Sequence, residues 1–190
     1  MKKTILLNLL KKAIYILYEV DYENISLDVT ERNICARLAH HLENLMREYD
    51  YNRKKQLFKK YYVDVEYNRL VDNNGVKQKK SITYPGGHNE TIICDLLVHS
   101  RGKVQKQDNL LALEMKKTEN DDSIDSDHMR LMCLTSPAPD DSQCKCIYNT
   151  LLGVFLEYNA QECYMTTYEY KNEREGYILK TERTVYSKQI

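Results

Sequence analysis

The chain has 190 residues, 42% of them hydrophobic and 29% charged, which suits one globular domain whose core needs neither disulfides nor a structural metal. Lysine plus arginine and aspartate plus glutamate number 28 each, so no global positive field draws in nucleic acid and any such contact has to come from a local patch. The composition argues against disorder, and no stretch approaches the roughly 18 apolar residues of a membrane-crossing helix.

The first ten residues look apolar enough for a leader, but Lys11 and Lys12 interrupt the run and no small-residue cleavage site follows. A cytoplasmic protein is expected. From Lys3 to Val20, Leu6, Leu9, Leu10, Ala13, Leu17 and Val20 recur at helical spacing and predict an amphipathic helix, which also qualifies as a dimer contact. After a polar turn at 21–28, Thr30-Glu31-Arg32 opens a second helix with Ile34, Leu38, Leu42, Leu45 and Met46 on its buried stripe. Asp28 or Thr30 is the expected cap. Glu31 in the first turn suits the positive end of the helix dipole.

Basic residues cluster at Arg53-Lys54-Lys55, Lys59-Lys60, Lys77 and Lys79-Lys80, either as solvated surface or as a local patch. Alternation then predicts a strand, with Tyr61, Val63, Val65 and Tyr67 against Tyr62, Asp64, Glu66 and Asn68. Asp72-Asn73-Asn74-Gly75 and Pro85-Gly86-Gly87 punctuate a loop. A second strand is expected from Thr91 to His99 and a third over 109–117, antiparallel neighbours because the connection between them is short. An acidic stretch over 119–127 leads to a short helix around Met129 to Leu134, which Ser136-Pro137-Ala138-Pro139 ends. Strands at Leu151–Tyr158 and Cys163–Tyr170 follow, and the polar tail from Lys171 has room for a short strand at 177–179 or 184–186.

The result is a single α/β domain over 1–190, with N-terminal helices at about 3–50, a core at about 61–170 and a tail at 171–190. Of the six cysteines, Cys35, Cys94, Cys133 and Cys163 stand apart, and only Cys144 and Cys146 lie close, without a second pair at zinc spacing. Reduced thiols are expected. His88 and His99 have no partner at zinc spacing either, and of His40 and His41, adjacent on the second helix, one is expected to pack and one to face water.

Strand parity places Leu110, Ala112, Glu114 and Lys116 on one face of the third strand, and Leu111, Leu113, Met115 and Lys117 on the other. Asp95 stands alone among apolar residues on the second strand, with Ile93 and Leu97 on its face, where an uncompensated carboxylate is costly. Two carboxylates and an ammonium converging at neighbouring strands can hold a hard divalent cation. They can equally form a salt bridge between Glu114 and Lys116, with Asp95 capping a turn or pairing with Lys116.

The stretches I-I-C-D-L-L-V-H-S-R-G and N-L-L-A-L-E-M-K-K give an aspartate followed 19 positions on by E-x-K. This resembles the PD-(D/E)XK nuclease superfamily. T-E-R-N-I-C-A-R-L-A-H-H-L-E, D-V-E-Y-N-R and G-V-F-L-E-Y extend the resemblance over roughly residues 3–170. It implies a restriction-endonuclease-like core, a central mixed β-sheet flanked by helices, with an N-terminal helical pair. It implies Asp95 and Glu114 as metal carboxylates, the backbone carbonyl of Met115 as a further ligand, and Lys116 as the catalytic lysine. Glu31 matches the helix-borne acid some members add. Mg²⁺ or Mn²⁺ is the cofactor implied, and the reaction is hydrolysis of nucleic-acid phosphodiester bonds by a magnesium-activated water. Nucleic acid is the partner, DNA ahead of RNA, and a homodimer stays open. Cys94 stands where the motif's name has proline, a departure that weakens the signature. Arg130, on the helix after the third strand, is a candidate phosphate contact, or simply the i,i+3 partner of Asp127. Glu66 either reaches the site or is solvated. The other reading is a catalytically silent nuclease-like module that binds nucleic acid or a protein partner.

Overall fold

The computed structural model describes residues 2–71, 77–84, 87–118, 124–138, 148–172 and 174–186. The turn at 72–75, Pro85-Gly86, the acidic stretch 119–123 and Cys144-Lys145-Cys146 lie outside these residues. Three helices open the chain: α1 (Lys2–Val20), the short α2 (Tyr22–Ser26) and α3 (Glu31–Asn52). Leu6, Leu10, Ala13, Ile14 and Leu17 form the buried stripe of α1 and meet Ile34, Leu38, Leu42, Leu45 and Met46 of α3 in one cluster. Each fully buried aliphatic side chain contributes on the order of 1.5–3 kcal/mol. The stripe is thus covered within the chain, so the helix that also qualified as a dimer contact buries its apolar face in the core, and Val20 is exposed at its end.

A buried carboxylate ties the two helices together. Asp21 accepts Arg37 Nε at 2.7 Å and lies 2.6 Å from His41 Nε2. His41 is therefore the packed member of the histidine pair and His40 the exposed one. Thr30 stands at the N-cap of α3, yet its side chain makes no cap bond. Asp28 pairs instead with Lys117.

The sheet follows: β1 (Tyr62–Val65), β2 (Arg69–Val71), β3 (Lys77–Lys79), β4 (Ser81–Thr83), β5 (Asn89–Thr91), β6 (Leu96–His99), β7 (Asn109–Lys117), β8 (Gly153–Tyr158), β9 (Glu162–Asn172) and β10 (Gly176–Val185), with α4 (Ile124–Thr135) between β7 and β8. Six strands run in the order β1-β6-β7-β8-β9-β10, antiparallel throughout except for the parallel β7–β8 pair that α4 crosses over. The pairs β2–β3 and β4–β5 are two small ribbons inserted between β1 and β6. This is an α/β fold with a mixed sheet.

The strand expected over 91–99 is divided. Thr91 ends β5, and only Leu96–His99 pair with β7. Between them the Ile92 N–H turns to the Lys80 carbonyl at 2.9 Å, and the Asp95 carbonyl accepts the Glu66 N–H at 3.1 Å and the Cys35 thiol at 3.2 Å. These outside partners take the backbone groups that a continuous ladder would have used. The tail is not an appendage: β10 pairs with β9 over its length, and Tyr186 stacks on Tyr18 of α1 with ring centroids 3.8 Å apart. The two candidate tail strands are one.

Alternation divides the core between the faces of the sheet. Leu111, Leu113, Met115, Val154, Leu156 and Tyr158 point to α1 and α3, while Ala112, Phe155 and Tyr168 share a second cluster with Leu131 and Leu134 of α4. Leu110, beside the register shift between Val98 and His99, joins the larger cluster instead of following Ala112. Gly153 sits where α4 comes closest, since a Cβ there would lie 3.1 Å from both Thr135 and Tyr168. Among the described residues no helix is long and apolar enough to cross a membrane.

Candidate active site

The divided strand delivers Asp95 to the edge of a groove of about 400 Å³ lined by Glu31, Arg32, Glu66, Asp95, Glu114, Lys116, Asp127 and Arg130, with Thr30, Ile93 and Met115. Antiparallel register sets Leu96 against Leu113, which puts Asp95 beside Glu114. Glu31 arrives on the first turn of α3, Glu66 just after β1, and Asp127 and Arg130 on one face of α4. All the residues named as a site from the sequence therefore line one groove, although they come from two helices, one strand and the segments beside two others.

Asp95 is held at both ends. Its carbonyl takes the two donors already described, and its carboxylate accepts the backbone N–H of Met115 at 2.7 Å. Burial raises its pKa; the Met115 hydrogen bond opposes this, and the nearby charges of Asp127 and Glu31 reinforce it. Parity pairs Asp95 with Ile93 and Leu97, and the structure keeps both on its side: Ile93 lines the groove and is 47% exposed, while Leu97, opposite Ala112, is buried on the α4 side of the sheet.

Glu114 is 2% exposed, and burial pushes its carboxyl up to about 8, against the pull of Arg130. Arg130 donates to Glu114 at 2.8 Å and to Asp127 at 3.0 Å. Its own pKa is raised, since the carboxylates of Glu114 and Asp127 outweigh burial. Among the described residues the buried Arg130 Nε–H has no hydrogen-bond partner. Asp127 also faces Lys116, whose Nζ lies 3.9 Å away, an ion pair rather than a hydrogen bond. Glu114 and Lys116, which the sequence allowed as a salt bridge, are thus linked through Arg130 and Asp127.

Met115 contributes its backbone to the groove and buries its side chain on the α1–α3 side. Glu66 is exposed, carries a left-handed φ of 50° and accepts Arg32 Nε at 2.6 Å. Its place is a bend after the strand and not the strand's polar face. Asp127 and Arg32 are the site residues that sequence reasoning missed. The i,i+3 spacing of Asp127 and Arg130 was readable, but not that this face of α4 lies over β7.

Five carboxylates thus meet three bases, an excess of negative charge built wholly from oxygen donors, and that chemistry fits a hard divalent cation. The packing answers differently. Among the described residues no three histidine, cysteine, aspartate or glutamate side chains are grouped to hold a metal ion, and Arg130 already engages Glu114. Comparison of the chain with protein-family models, with curated proteins and with solved structures gives no match.

Proposed function

We propose that the chain is a metal-dependent nuclease with a restriction-endonuclease-like core, hydrolysing phosphodiester bonds of nucleic acid. One observation carries the reading: Asp95, at the bend just before β6, and Glu114, on the neighbouring antiparallel β7, line one groove with Lys116 two residues beyond Glu114 on the same face. Asp95, Glu114 and the Met115 carbonyl would hold Mg²⁺ or Mn²⁺, with Glu31 as the added acid on the helix start. The ion supplies polarisation of a phosphoryl oxygen and an activated water. Lys116 stabilises the negative charge that develops on the phosphate, in a half-buried position where a charge acts more strongly than in bulk water. Asp127 keeps the ammonium near the carboxylates without a direct hydrogen bond.

Arg130 fits the same reading as a counter-ion for the metal-free site. It neutralises Glu114 while the site lacks a cation, and it has to leave that carboxylate before Glu114 can act as a ligand. The four described cysteines are free and buried, which agrees with work in the reducing cytoplasm.

The test is incubation with plasmid, linear duplex and single-stranded DNA in magnesium or manganese. Wild type is expected to cleave and Asp95→Ala to be inert, whereas equal cleavage by both would remove the site assignment. The Glu114–Arg130 pair favours a second reading, a nuclease-like module without turnover, in which the arginine occupies the cation's place permanently. Calorimetry with magnesium separates the two, because the silent module binds none.

A further inference from the structure

Between β1 and β6 the chain leaves the main sheet to form the β2–β3 ribbon, and the root of that ribbon is the wall of the groove. The Lys80 N–H bonds the Asn68 carbonyl at 2.8 Å, and the Lys80 carbonyl takes the Ile92 N–H at 2.9 Å. Glu66 and Ile93, one or two residues from those contacts, both line the groove. On the ribbon, Arg69 and Lys79 are direct cross-strand partners. Both are exposed, and neither makes an ion pair or side-chain hydrogen bond among the described residues.

That arrangement works against the ribbon's own stability. Two strands of three residues are marginal by themselves, and like charges directly opposite each other repel at a Cβ separation of about 5 Å. In a chain with no net charge, two opposed cations without a partner among the described residues, a few residues from a candidate phosphodiesterase groove, mark a contact for an anion. Arg69 is three residues from Glu66, so its backbone lies within about 11 Å of the groove wall, the rise of roughly three base pairs of duplex.

Resting on the nuclease reading above, we propose that the β2–β3 ribbon is a duplex-DNA arm, with Arg69 and Lys79 contacting phosphates a few base pairs from the groove. A two-stranded ribbon fits the major groove of B-form DNA, roughly 12 Å wide, whereas the A-form RNA major groove is too narrow to admit it. A single strand is usually tracked by stacking on aromatic side chains, and Arg69–Val71 and Lys77–Lys79 contain none.

The experiment is fluorescence anisotropy on a labelled duplex of about 20 base pairs, titrated over a range of salt in EDTA, with wild type and the Arg69→Gln/Lys79→Gln double variant. Loss of two phosphate contacts lowers the slope of log K against log salt by about 1.8 and weakens binding on the order of 50-fold at 0.1 M salt. The charge-keeping Arg69→Lys/Lys79→Arg pair restores both, which separates lost charge from a distorted ribbon. An unchanged slope in the double variant overturns the proposal, as does failure of the wild type to bind the duplex. An equal slope loss on a single strand or on an RNA duplex overturns the assignment to duplex DNA. The assay uses neither metal nor cleavage, so a failed arm leaves the nuclease reading to the Asp95→Ala test. A slope loss without any cleavage sustains the arm on the silent module.

Discussion

The guanidinium of Arg130 donates to the carboxylate of Glu114 at 2.8 Å, in a place where Glu114 has almost no contact with water. A buried pair of this kind is weak support for stability, but breaking it is expensive because one charge is left alone. Arg130→Met is expected to destabilise the fold by about 3–5 kcal/mol above the titration of Glu114, and by less where Glu114 carries its proton. Urea unfolding at acid and alkaline pH measures both.

The same carboxyl sets a pH dependence. Glu114 holds its proton more tightly folded than unfolded between its ordinary value of 4.5 and about 8. Its part in stability is therefore full below that window and falls as pH climbs through it. Glu114→Gln is expected to flatten the curve of stability against pH across the window. An unchanged slope in the variant would show that another group is responsible.

Asp64 gives the opposite sign. Burial pushes its pKa up, yet hydrogen bonds from His99 and Arg101 outweigh this and hold the carboxyl well below its ordinary 3.8. His99 lies 2.9 Å away and Arg101 donates at 2.7 Å. The stabilisation is present above pH 3.8 and is lost as pH falls toward the folded value. Asp64→Asn is expected to cost about 1.5–3 kcal/mol at neutral pH and progressively less in acid, read from urea midpoints.

Lys116 is half-buried and its contact with Asp127 is long, so removing its charge leaves the fold largely intact. Lys116→Met is expected to lower kcat by about 10²–10³-fold, the range for removing one preorganised charge-stabilising group, with little change in KM. Steady-state cleavage with a matched thermal melt checks this. A proportional loss in the melt would assign the lysine to stability.

Gly153 governs how closely α4 approaches the sheet, and through α4 the position of Arg130. The Cβ of Gly153→Ala would press on Thr135 and Tyr168 at 3.1 Å, and overpacking of this kind costs about 1–3 kcal/mol. A thermal melt and calorimetric magnesium titration are expected to show lower stability and altered metal affinity together.

Periodicity was enough to read α1, α3, β7 and β8, because each has one buried face whose spacing shows in the residues themselves. It failed at Ile92–Asp95, where an apolar run suggested a strand but the backbone hydrogen bonds go to Lys80, Glu66 and Cys35. Those partners are distant in sequence and leave no local mark. Parity on β7 brought Glu114 and Lys116 together, the apolar surroundings of Asp95 marked it as the second carboxylate, and the resemblance added Glu31 to them. The Asp127–Arg130 pair was readable as i,i+3 spacing, but the contacts of Asp127 with Lys116 and of Arg32 with Glu66 depend on how α4 and α3 dock, which only tertiary packing fixes.

The central claim is that this groove takes a divalent cation at Asp95 and Glu114. A crystal structure in manganese, with anomalous scattering measured, tests it most directly. The account predicts one anomalous peak within coordination distance of both carboxylates and Arg130 turned away from Glu114. A groove with no peak, and Arg130 still bonded to Glu114 at high manganese, would contradict it.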